Sequence, residues 1–88
     1  MEKTTETQEQ ARKEILATSL HAREQEIMHY QINVDNYTIA LDEISKLPDD
    51  ERAELADFAK QLAGLLASEK IEQKKAKIML SVIKRQVE

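Results

Sequence analysis

Residues 44–66 read ISKLPDDERAELADFAKQLAGLL, and the fold turns on where the single proline in that run sits. Proline lacks an N–H and its ring collides with the preceding turn, so a helix interior excludes it, yet its fixed φ suits a helix's first turn. Asp49, Asp50 and Glu51 follow directly, placing negative charge where a helix N-terminus is electropositive. Leu55, Phe58, Leu62 and Leu65 then recur at three- and four-residue steps, which traces one face of a helix. The stretch predicts one helix ending near Lys46 and a second starting at Pro48.

The same pattern extends upstream. Positions 16-20-23-27-30-34-37-41-44 alternate steps of four and three, and all but Arg23 are apolar or aromatic. This is the spacing of a coiled-coil seam. Residues 32–39, INVDNYTI, contain poor helix formers, each costing roughly half a kcal/mol against alanine. Asn33 or Asp35 could cap a new helix there, but the register passes through without slipping, which favours one continuous helix.

Downstream, the seam is clear from Leu55 to Leu66, fades through 67–75, and returns at Ala76, Met79 and Ile83. The reading is all-α: a long antiparallel hairpin, helices near 8–46 and 48–87, with its corner at Leu47–Pro48 and a frayed tail over residues 1–8. Pairing about that corner joins residues whose numbers add to 95 or 96. It matches Tyr37 with Phe58, Val34 with Leu62, Tyr30 with Leu65, Leu20 with Ala76 and Leu16 with Met79, and sets Arg23 opposite Glu72.

Composition agrees. One glycine and one proline in 88 residues, with 34% charged residues, fit long helices and not sheets. Leu, Ile, Val and Phe together are 21 of 88, just above the level of disordered chains, so a monomer buries little and association is the expected remedy. Cysteine is absent, which excludes disulfides and thiolate chemistry. With no basic-then-apolar leader pattern and no apolar run long enough to span a bilayer, the expectation is a cytoplasmic protein.

No constellation carries catalysis. The serines lack a base-and-orienter arrangement, and a lone Gly64 cannot form a phosphate loop. Glu26 and His29 have metal-ligand spacing on a helix, but a di-metal site needs that pair twice, and the second helix has no histidine. We therefore expect no enzyme, metal or cofactor.

The C-terminal segment is more informative. With Ile78 as zero on a helical wheel, Ile71, Ile78 and Val82 lie within 0–40°, and Ala76, Met79, Leu80, Ile83 and Val87 occupy 100–200°. The resulting apolar arc is wider than one antiparallel neighbour covers. Ile78, Met79, Leu80, Val82 and Ile83 are the expected partner-binding residues, with Lys70, Lys74, Lys77, Lys84 and Arg85 as a basic rim. The expected occupant is a protein, either a second copy forming a dimer or a larger partner for which the chain is an adaptor or inhibitor. The alternative is a regulator of a nucleic-acid process. The basic stripe could neutralise phosphates, or the acidic patch Asp42, Glu43, Asp49, Asp50, Glu51 and Glu54 could imitate them. Direct nucleic-acid binding is disfavoured by the acidic remainder, net −7 over residues 1–68. A membrane role is disfavoured because the apolar arc has no Trp or Phe anchor.

The run HYQINVDNYTIALDEI, His29–Ile44, resembles small accessory proteins encoded in the early regions of tailed bacteriophages. The resemblance spans about sixteen residues and transfers no active-site residue. It implies a short helical protein that binds and redirects a host protein.

Overall fold

One helix, α1 (Glu2–Ser45), carries half the chain; a short α2 (Asp49–Glu54) and a long α3 (Ala56–Val87) return alongside it. The computed structural model describes residues 2–87, with side chains from Thr7 to Val87. The two long helices pack against each other as a hairpin, and no strand occurs among the described residues.

The α1 helix is continuous through residues 32–39. The polar side chains there that could have capped a new helix are engaged elsewhere. Asn33 donates to Glu69 of α3 at 3.2 Å, Thr38 donates back to the Val34 carbonyl at 2.7 Å, and Asp35 accepts from Gln31 at 2.9 Å. Val34 is buried and Tyr37 half-buried against α3. Tertiary packing outweighs weak intrinsic propensity here. The helix also takes in residues 2–8, which have no apolar anchor of their own.

At the corner, Lys46 and Leu47 N–H groups bond back three residues to Glu43 and Ile44, at 3.3 and 3.1 Å, tightening the last turn of α1. Pro48 sits just outside α2 as its N-cap, with φ −57° and ψ 156°, one position earlier than the first-turn placement expected. Its carbonyl accepts from Arg52 N–H at 2.9 Å. Asp49, Asp50 and Glu51 do occupy the first turn of α2.

The return helix is not one piece from Pro48 onward. It bends at Leu55, where φ −100° and ψ 10° leave the helical region. Bonds from Leu55 N–H to Glu51 and from Ala59 N–H to Leu55 continue on either side. No residue of α2 is buried, so this turn forms a shoulder, and the first residue of α3 that is not exposed is Ala59.

The bend moves the register. Cross-helix hydrogen bonds join Asn33 with Glu69, Gln73 with Ile27 and Gln31, and Arg12 with Gln86. Their numbers add to between 98 and 104, not 95 or 96. The expected Arg23–Glu72 pair is not formed: Arg23 bonds Glu26 of its own helix at 2.8 Å and Glu72 takes Lys75 at 3.0 Å. A corner that uses an extra helical turn pairs every α1 residue with a later α3 residue.

All nine expected α1 seam positions are at least half-buried. On α3, Ala59, Leu62, Leu66, Glu69, Gln73, Ala76, Leu80 and Ile83 turn inward in an unbroken three-four repeat, with Glu72 half-buried beside Gln73. Among the described residues the buried apolar ones are Val34, Leu62, Ala76 and Ile83, joined by Gln73. The molecule measures 74 × 16 × 14 Å with a radius of gyration of 20.7 Å. A compact chain of this length would have about 12 Å. Its 6999 Å² of accessible surface exceeds the roughly 5,300 Å² typical of a compact monomer of this mass.

Candidate interaction surface

The three-four seam of α3 divides the expected apolar arc in two. Ala76, Leu80 and Ile83 turn inward against α1. Of the five expected partner-binding residues, Leu80 and Ile83 are thus taken up by the hairpin. Ile78, Met79 and Val82 remain outside, 63%, 42% and 43% exposed. Phe58, Leu65 and Ile71 join them at 48%, 48% and 53%. Ile71, Ile78 and Val82 face away from α1 and Phe58, Leu65 and Met79 line the adjoining flank, over about seven turns of a single helix.

Phe58 and Leu65 were expected in the seam. Their exposure follows from the Leu55 bend, after which the inward phase runs through Ala59, Leu62 and Leu66. The signal was present in the sequence: stepping back from Ile83 and Leu80 by three and four passes Ala76, Gln73, Glu69, Leu66 and Leu62. Two polar residues in that series conceal it. A smaller exposed apolar line, Met28, Ile32 and Ile39, occupies the outer side of α1.

The basic residues Lys70, Lys74, Lys77, Lys84 and Arg85 are all exposed, and none is in a salt bridge among the described residues. Lys70, Lys77 and Lys84 recur every seven residues on the flank opposite Phe58, Leu65 and Met79. The acidic patch lies at the closed end of the hairpin, where Asp42 pairs with Lys46 at 2.9 Å and Asp49 pairs with Arg52; Glu43, Asp50, Glu51 and Glu54 are exposed there.

The middle of the seam is polar and satisfied. Gln73, 8% exposed, donates to Gln31 at 2.9 Å and to the Ile27 carbonyl at 3.4 Å. No buried side-chain nitrogen or oxygen among the described residues lacks a partner. Such a layer fixes register, because sliding the helices would strand these amides. Glu26 accepts from both Arg23 at 2.8 Å and Tyr30 at 3.3 Å. No cluster of three or more His, Cys, Asp or Glu residues able to hold a metal occurs among the described residues. No described helix is long and apolar enough to cross a membrane.

The Tyr30 phenol is raised above its usual value of 10.0, first by desolvation against α3, then by the carboxylates of Glu26, Glu72 and Glu69. A raised folded-state value means that ionisation opposes folding, so stability is full below pH 10 and falls as pH rises through that range. In a Tyr37→Phe variant, spectroscopic titration of the remaining tyrosine should give a midpoint above 10, and Glu26→Gln should lower it.

The chain matches no known family, no curated protein and no solved structure.

Proposed function

We propose that this chain is a non-enzymatic protein-interaction module, an adaptor or inhibitor of a larger protein, acting through the outer side of α3. The supporting observation is the row of six large apolar side chains, Phe58 to Val82, on one rigid helix. Scattered exposed apolar residues need no explanation, but contiguous ones on a soluble chain mark contact sites. An amphipathic helix docks into a groove through anchors spaced as Ile71, Ile78 and Val82 are. The resemblance of residues 29–44 to phage accessory proteins would make that partner a host protein.

Ile78→Asp combined with Val82→Asp tests the reading. Both positions face solvent, so helicity should persist by circular dichroism. A partner retained by the wild-type chain in affinity capture from its native cell should be lost. Equal retention by the double variant would contradict the proposal.

The unpaired basic side chains favour a second reading, regulation of a nucleic-acid process. If they contact phosphates, affinity for labelled DNA or RNA falls steeply with salt, with about 0.9 counterions released per contact. The first reading expects no mobility shift at low or moderate salt.

A further inference from the structure

We infer that the outer side of α3 pairs with a second copy of itself, antiparallel about a two-fold axis at Ile71. The inference rests on the reading that this side is a protein contact; in the free protein the second copy occupies it, and a larger partner would displace that copy.

Positions 57-61-64-68-71-75-78-82-85 of α3 are Asp, Gln, Gly, Ser, Ile, Lys, Ile, Val and Arg. They form a second three-four seam on the helix, facing away from the one that meets α1. Two such seams laid antiparallel, with Ile71 on Ile71, pair residues whose numbers add to 142–144. Asp57 then meets Arg85 of the second copy at both ends. Gly64 meets Ile78, Gln61 meets Val82, Ser68 meets Lys75, and on the adjacent line Leu65 meets Met79. A parallel pair would instead set Lys75 on Lys75, Arg85 on Arg85 and Asp57 on Asp57. Charge complementarity therefore selects the antiparallel arrangement.

Gly64 is the one glycine of the chain and lies inside a helix, where only proline is less suited. A side-chain carbon there would meet nothing within 4 Å in its own hairpin, so intramolecular packing does not require a glycine. A second helix seating Ile78 over that notch does. The area also fits. Six side chains at 42–63% exposure present on the order of 500 Å² per copy, so a pair covers roughly 1,000 Å², where specific interfaces begin. The product is a flat layer of four helices with α1 on each outer edge.

Because the chain has no cysteine, single introduced thiols report the register. Ile71→Cys should oxidise to a covalent dimer. Ile78→Cys alone should not, because its two copies lie about 21 Å apart along the helices. Gly64→Cys mixed with Ile78→Cys should again cross-link. Sedimentation of the wild-type chain at tens of micromolar should give twice 10.1 kDa, and Gly64→Leu should weaken that association at least tenfold while keeping helicity. A monomer at every concentration, or Ile78→Cys linking as readily as Ile71→Cys, overturns the inference. A monomer whose partner capture still depends on Ile78 and Val82 would refute self-pairing alone, whereas capture unaffected by the aspartates would refute the broader reading.

Discussion

Leu62→Ala lowers the stability of the hairpin by about 2–3 kcal/mol, the usual loss for truncating a buried leucine. Leu62 is 6% exposed and is one of four buried apolar residues among those described. In a chain of this size that loss is a large fraction of the total. Urea titration followed by far-UV circular dichroism should show an earlier midpoint. Leu65→Ala, three residues on and 48% exposed, should change stability by less than about 0.5 kcal/mol at concentrations where the chain is monomeric. The contrast identifies the inward face. Equal losses at both positions would restore the Leu55–Phe58–Leu62–Leu65 face and remove the exposed row from the interaction argument.

Ala76→Leu costs about 1–3 kcal/mol by overpacking. Ala76 is the most buried residue described, at 3% exposure. The observed register places it across from the α1 segment holding Arg23, Glu26 and Ile27. All three are long, and the Arg23–Glu26 pair lies on that side. A small residue on α3 makes room for them, and a leucine would push the helices apart or displace the pair. Ala67→Leu, on an exposed position of the same helix, should be close to neutral. The test is the difference between the two urea midpoints; a stabilising Ala76→Leu would mean a void where the helices are described as close.

Much of the architecture was legible in the residues. The four-three spacing from Leu16 to Ile44 specified α1 and its inward face, even through the weak formers at 32–39. Pro48 with its three following acids located the corner to within a residue. The register was not legible, because it depends on the bend at Leu55, where neither proline nor glycine stands. The extra turn there changes every pairing, and the rotated phase of α3 beyond it moves Phe58 and Leu65 from core to surface. The polar layer was half legible. The α3 seam was seen to fade through 67–75, but its partners proved to be Asn33, Gln31 and the Ile27 carbonyl, not Arg23. The interaction surface was partly legible for the same reason: the arc was correctly wide, but its phase decided that Leu80 and Ile83 point in while Ile71, Leu65 and Phe58 point out.

The chain doubling back on itself in the observed register is the claim on which the inward and outward faces of α3 both depend. Spin labels at Thr18→Cys and Arg85→Cys, measured by double electron–electron resonance in excess unlabelled protein, test it most directly. Both positions are exposed and lie level with each other in the hairpin. With helix axes about 8–10 Å apart, the labels should be separated by roughly 20–30 Å. An opened chain, in which the two positions are 67 residues apart, would place the labels on the order of 100 Å apart, beyond any resolved dipolar distance, and that result would contradict the account.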